Sequence, residues 1–306
     1  MKIEEKRKKL IKLIEEKEKA IKEYCEKNYD GPGWIRKIRK LLKYKQKYLS
    51  YALPRLIPKM VRLKTFWGND FFVFLSANLP LHLFGILGGD QEVRFTKFLI
   101  KHLPENVIFY DIGAFCGYYS ALVKEIIERG EIHAFEPIST SFQCLQKNIS
   151  STDGIKVFLN NLAISNKEGE IDFYTEGSNR HPEGSTLNAS VIIGNFKKIK
   201  VKTTNLDSYC SAHQCPNFMK IDVEGAEEYV IEGGMRVLKE TSPIIAMEVW
   251  RKPLNNKSHL KAMEILYKLG YKSYKINDQG ELIFKEKILP EEDILMGTGD
   301  NFIFKK

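Results

Sequence analysis

From residue 107 to 269, short apolar runs alternate with stretches in which apolar residues recur at spacings of three and four. The runs predict buried strands and the periodic stretches predict amphipathic helices. Strands are expected at 107–112, 131–136, 155–163, 217–222 and 243–249. Helices are expected at 117–129, 139–149, 225–239 and 258–269, with Ser139 as a candidate N-cap. An insertion after the third strand carries strands at 170–175 and 199–204 around a polar loop at 177–190. Short extended pieces at 271–276, 281–285 and 301–305 close the chain, and turns such as Asn277–Gly280 suit antiparallel strands on one edge. Repeated βαβ units imply a doubly wound, mostly parallel α/β sheet with right-handed crossovers.

The chain before residue 107 has a different character. Residues 2–27 place Leu10, Ile11, Leu13, Ile14, Ile21 and Tyr24 at helical spacing among charges, with Glu and Lys four apart at several positions. Such a helix packs one stripe on its own domain; the same stripe admits homo-oligomer formation by pairing with a second copy. Asp30–Gly33 breaks it, and Trp34 to Ala52 reads as a second helix, ended by Pro54 and Pro58. Residues 71–89 contain no charged residue, but Ser76, Asn78, Pro80 and Gly85 interrupt them, so a buried hairpin or strand is expected rather than a membrane span. Glu92 to His102 reads as a helix. The expected organisation is a basic helical extension at 1–58 followed by one α/β domain at 59–306.

Charge sharpens this division. The net charge is +9, yet residues 34–64 alone hold eleven Lys or Arg and no acid, so the rest of the chain is slightly acidic. A uniformly basic amphipathic segment with interleaved tyrosines can lie on an anionic membrane surface. It can also cover the core with a solvated back. Nucleic acid is the weaker alternative, because no RNA-binding module accompanies the segment. Five scattered cysteines, with Cys210 and Cys215 lacking a matching second pair, fit reduced thiols and no zinc site. The lysine- and glutamate-rich start does not read as a signal peptide, so a cytoplasmic protein is expected, with peripheral contact to the inner face of the membrane through residues 34–64.

The chemistry gathers at strand ends. Val107 to Tyr119 reads as a strand, a turn containing Gly113 and Gly117, and the start of a helix, the arrangement that holds nucleotide-like cofactors. The pattern is D-x-G-x-x-x-G, not the G-x-G-x-x-G of dinucleotide folds. Asp111 would repel two phosphates but favours the cationic groups of S-adenosylmethionine (SAM). Glu136 can accept both ribose hydroxyls, and Asn161 is placed to meet an adenine edge or to serve as a turn asparagine. The cofactor-binding set is therefore Asp111, Gly113, Ala114, Phe115, Gly117, Tyr118, Glu136, Pro137 and Asn161.

The segments Asp111–Tyr119, Ala134-Phe-Glu-Pro137, Asn161–Ser165, Thr204-Asn-Leu-Asp207 and Met219–Glu227 together resemble the FkbM-type methyltransferases, over about residues 90 to 250. The resemblance implies a class I SAM-dependent methyltransferase fold and, usually, O-methylation of a hydroxyl, often on a sugar or polyketide. The family's usual residue after the Gly-Ala of the first turn is asparagine, where this chain has Phe115.

Methyl transfer needs in-line alignment and gains from a positioned base. Asp222 leaves the fourth strand at its carboxyl end and is the first candidate; Glu224 and Glu248 are further candidates, and Lys220 is expected to pair with a neighbouring acid. Glu224 and Glu227 could instead dress a helix N-terminus. His181, in the inserted loop, is a candidate base. No spacing specifies a metal. The expected acceptor is a hydroxyl of a glycan, glycolipid precursor or related small molecule. An NAD-linked oxidoreductase and a basic RNA-binding or scaffold protein with a vestigial SAM fold are the alternatives.

Overall fold

The computed structural model describes residues 3–29, 60–74, 79–176, 196–251, 256–294 and 299–306. The expected helix at Trp34–Ala52, nearly all of the basic segment, the 58/59 domain boundary and the loop around His181 lie outside the described residues.

In chain order the elements are α1 (Ile3–Tyr29), β1 (Met60–Lys64), β2 (Asp70–Phe74), α2 (Leu79–Phe84), α3 (Asp90–His102), β3 (Asn106–Ile112) and α4 (Tyr118–Ile126). There follow β4 (Arg129–Phe135), α5 (Ser139–Asn148), β5 (Ile155–Asn160), β6 (Ala163–Ile164), β7 (Gly169–Glu176), β8 (Phe196–Thr204) and α6 (Leu206–Ala212). The last part holds β9 (Phe218–Ile221), α7 (Glu227–Glu232), α8 (Met235–Glu240), β10 (Ile244–Trp250), α9 (Lys257–Lys268), β11 (Lys272–Ile276), β12 (Leu282–Lys285), α10 (Pro290–Asp293) and β13 (Gly299–Lys305).

An eight-stranded sheet runs β12-β11-β13-β10-β9-β3-β4-β5. Its β10-β9-β3-β4-β5 half is parallel, and β10/β13, β13/β11 and β11/β12 are antiparallel. The doubly wound α/β class and the antiparallel edge expected from the pattern are both present. From β3 the chain winds outward through β4 and β5, then returns to lay β9 and β10 on the other side of β3. The strand order therefore reverses between β3 and β9, the place where open α/β sheets leave a crevice. The insertion forms a small separate sheet, β6-β8-β7, with its own apolar cluster of Ile138, Ala163, Phe173 and Val201.

Several local expectations change. The segment 71–89 yields β2, paired antiparallel with β1, and then the helix α2 in place of a second strand. The helix expected at 225–239 is two helices separated by Gly233 and Gly234, and a Cβ at Gly233 would lie 2.1 Å from the Ser165 carbonyl oxygen. Ser139 does not cap α5: it is the first helical residue, and the capping position is Ile138. The short helix α6 was not anticipated. Asn205 caps it by accepting from the Ser208 amide at 2.7 Å, and Asp207 accepts from the amides of Arg236 and Val237 at 3.0 and 2.9 Å. Asn205 and Asp207 thus fix the starts of two helices.

The apolar stripe of α1 is spent on the chain's own core. Leu10 and Ile14 are buried, the latter completely, in the cluster that contains Phe95, Leu99 and Val123. Arg7 donates to the carbonyl of Ile126 at 3.2 Å, and Lys97 of α3 pairs with Glu18 at 2.6 Å. Ile14→Ala is expected to lower the unfolding free energy by about 2–5 kcal/mol, read by urea denaturation of the full chain. An unchanged midpoint would show that α1 does not dock in this way.

Candidate active site

The turn after β3 is closed by its own hydrogen bonds. The amides of Gly113 and Ala114 both donate to the Phe135 carbonyl, at 3.0 and 2.9 Å, and the Gly117 amide donates to the Ala114 carbonyl at 2.7 Å. The Phe115 amide donates to Glu136 Oε2 at 2.9 Å. The amides of Gly113, Ala114, Phe115 and Gly117 are therefore already used by neighbouring acceptors. At the start of α4, Asp111 Oδ2 accepts from the amide and hydroxyl of Ser120, at 3.1 and 2.6 Å. A carboxylate thus occupies the positive end of the helix. A carboxylate at that position is unfavourable for a pyrophosphate, which disfavours the dinucleotide alternative.

Phe115 sits at φ 51°, in the left-handed region. Asparagine tolerates that conformation far better than phenylalanine. The Phe115 ring packs against Phe74 at 5.6 Å between centroids. Gly113 is needed for two reasons. Its φ is +87°, and a Cβ would lie 1.9 Å from the Asp222 carbonyl oxygen. The turn after β3 and the loop after β9 are in direct backbone contact, and the Asp222 amide donates to the Ile112 carbonyl at 3.0 Å.

The other expected cofactor residues divide. Glu136 is buried at the end of β4, and its Oε1 accepts from the Ile138 amide at 2.8 Å. Burial pushes its pKa up to about 7. Two of its four acceptor sites remain for hydroxyl donors. Asn161 donates to the carbonyls of Glu136 and Pro137, at 2.8 and 3.2 Å, the behaviour of a turn asparagine. Tyr118 departs from expectation. Its ring is buried between Trp67 and Phe71 under the β1-β2 hairpin, so its side chain belongs to the core.

On the β9 side, Lys220 and Asp111 occupy facing register positions on β9 and β3. The Lys220 ammonium is buried, lies over the Tyr119 ring at 5.1 Å, and bonds Asp222 Oδ2 at 2.8 Å. Burial works against its charge, but Asp222, Asp111 and Glu92 outweigh it and raise its pKa. Asp222 itself is half-buried. Glu224 sits at φ 56°, a strained position for a non-glycine residue. Glu227 is fully buried and holds this loop, its Oε1 accepting from the amides of Val223 and Gly225 at 3.3 and 3.2 Å. Its Oε2 lies 3.2 Å from His259 Nε2, within ion-pair distance but without hydrogen-bond alignment. Burial raises the Glu227 pKa to about 7 and lowers that of His259 to about 4, so this is not a fully charged pair at neutral pH.

Glu248 is also near, but burial, Asp222 and Glu224 drive its pKa well up. Its Oε2 accepts from the Trp250 indole at 2.8 Å. Sequence reasoning missed Glu92, which accepts from the Tyr119 hydroxyl and whose pKa burial raises. It also missed Ser120. Glu92 read only as the start of a helix, and nothing local linked it to strand ends far along the chain. Among the described residues, no group of three His, Cys, Asp or Glu is arranged to hold a metal ion.

SAM fits the residues present. Asp111 Oδ1 is buried with no hydrogen-bond partner, and Glu136, on the adjacent strand, keeps free acceptor sites. Two carboxylates side by side suit a ligand that offers cations and paired hydroxyls. Gly113→Ala should cost about 2 kcal/mol or more through strain and the clash with Asp222. Its thermal midpoint should fall clearly below that of the native chain; equal midpoints would contradict the close approach.

Comparison with known proteins finds similarity to methyltransferases. The chain is 24% identical over 161 residues to a hexuronic acid methyltransferase, AglP, of Haloferax volcanii, covering 52% of this chain and 62% of that protein. It is 26% identical over 172 residues to a 2-O-methyltransferase, NoeI, of Sinorhizobium fredii, covering 51% of this chain and 70% of that protein. A solved structure of methyltransferase FkbM from Methylobacillus flagellatus KT aligns at 15% identity with a TM-score of 0.42, over 70% of this chain and 48% of that one. The methyltransferase FkbM domain profile matches residues 111–273, more than half of the chain, and the chain belongs to that family.

Proposed function

We propose that the protein is a SAM-dependent O-methyltransferase acting on a hydroxyl of a glycan, glycolipid precursor or related small molecule. The observation that carries this reading is the unpartnered, buried Oδ1 of Asp111 beside Glu136, at the strand-order reversal of a chain in the methyltransferase FkbM family. The two relatives named as methyltransferases, one for a hexuronic acid and one acting at a 2-hydroxyl, support a sugar hydroxyl as the acceptor class.

SAM, when bound, supplies a methyl group on a positively charged sulfur. Asp111 would hold its cationic part and Glu136 its ribose hydroxyls. Pro137 and the turn 113–117 would shape the adjoining wall, with Asn161 holding the 136–137 backbone. Asp222, half-buried and bonded through one oxygen to Lys220, would be the residue nearest the acceptor. It would take the acceptor's proton as the hydroxyl oxygen gains the methyl group. Glu224, on the same strained loop, would help to orient the acceptor, and the His181 loop would select it. Peripheral binding to the inner membrane face rests on the uniform positive charge of residues 34–64. Among the described residues, no helix is long and apolar enough to cross a membrane.

Calorimetric titration should show SAM binding that Asp111→Ala weakens about tenfold or more while the fold is retained. No binding by the native chain would sink the cofactor assignment. Ribose hydroxyls donate best to an ionised Glu136, so SAM affinity should rise as pH passes through about 7 and then level off. Glu136→Gln should remove that rise; a rise that survives it would place the titrating group elsewhere. Flotation with anionic liposomes should recover the full chain but not a variant with the lysines and arginines of 34–59 changed to glutamine. Equal recovery of both would refute the membrane surface.

A further inference from the structure

A row of polar side chains crosses the sheet beyond the SAM-facing pair, and part of it lies outside the matched family region. Asp111 faces Lys220 in register, Lys220 faces Ala246, and Glu248 lies two residues further along β10 on the same face. Glu248 in turn faces Asn301 of the antiparallel β13. Residues directly opposite in a ladder project to the same face, so Asn301 continues the row that begins at Asp111. Glu92 of α3 reaches the same region through the Tyr119 hydroxyl.

Asn301 is 3% exposed, and its Oδ1 is buried without a hydrogen-bond partner. A buried amide oxygen left without a donor is costly, and in native proteins it points to a missing partner. It stands beside acids that crowd one another. Asp222, Glu224 and Glu92 all push the Glu248 pKa upward. The nearby cations among the described residues are committed: Lys220 to Asp222 at 2.8 Å, and Arg94 to Asp300 at 2.7 Å. The region therefore needs hydrogen-bond donors and repels added negative charge.

Building on the methyltransferase reading, we propose that Asn301 and Glu248 form the acceptor subsite, and that the acceptor is an uncharged sugar ring and not a hexuronate. Ring hydroxyls donate to Asn301 Oδ1 and to the carboxyl of Glu248. A hexuronate would bring a carboxylate, which only accepts, to a place already crowded with acids. Acceptor chemistry here thus differs from that in the name of the hexuronic acid relative.

The test begins with the full chain and SAM in a calorimeter, then measures radiolabelled methyl transfer to methyl hexosides and the matching methyl hexuronides. At least one neutral hexoside should be methylated with a kcat/KM about tenfold or more above that of its hexuronide. Asn301→Ala should raise KM for that hexoside about tenfold with SAM affinity unchanged. Glu248→Gln, of nearly the same shape, should also raise it and serves if the first variant fails to fold. Hexuronides used as well or better, KM unmoved in the variants, or SAM bound with no hexoside methylated would each overturn the subsite. Absence of SAM binding would instead remove the methyltransferase reading on which it rests.

Discussion

The buried ammonium of Lys220 is the interaction on which this site depends. It lies between the ends of β3 and β9, faces Asp111 in the ladder, bonds Asp222, and rests on the Tyr119 ring. Three acids raise its pKa against the effect of burial. Without that charge, Asp111, Asp222 and Glu92 would stand close together uncompensated, a large penalty in a low-dielectric interior. One cation therefore permits acids to sit on both sides of the strand-order reversal.

Backbone contact locks the same place. Gly113 lets the Asp222 carbonyl come against the turn after β3, and Glu227 fixes the loop after β9 through two amides. The turn and the loop form one unit, although more than a hundred residues separate them in the chain. A shift in either would move the other, which explains why strain at Phe115 and Glu224 is tolerated here. The surrounding sheet over-determines both positions.

The N-terminal helix adds rigidity from the opposite direction. Leu10 and Ile14 complete the core over α3, and Arg7 donates to the Ile126 carbonyl at the end of α4. Because α3 carries Glu92 and α4 begins at the Asp111 turn, α1 braces two helices that bear on the site. Residues that read as an extension therefore support the α/β domain.

Much of this protein was legible in its sequence, for a local reason. Alternating apolar runs and helical periods specify βαβ units, and right-handed crossovers leave few ways to assemble them. The D-x-G-x-x-x-G turn, Glu136 and Asp222 each occupy a strand end, so their arrival at one edge follows from the fold class. Other features needed the assembled sheet. The closed amides of the turn depend on the Phe135 carbonyl, the neutralised acids on Lys220, and the burial of Tyr118 on the β1-β2 hairpin. The nearness of Glu92 and Asn301 to Glu248 arises only when α3 and β13 meet β10. Sequence pattern decided which elements form and which strand ends carry acids. Tertiary structure decided which charges are compensated, because that depends on the distance between groups far apart in the chain.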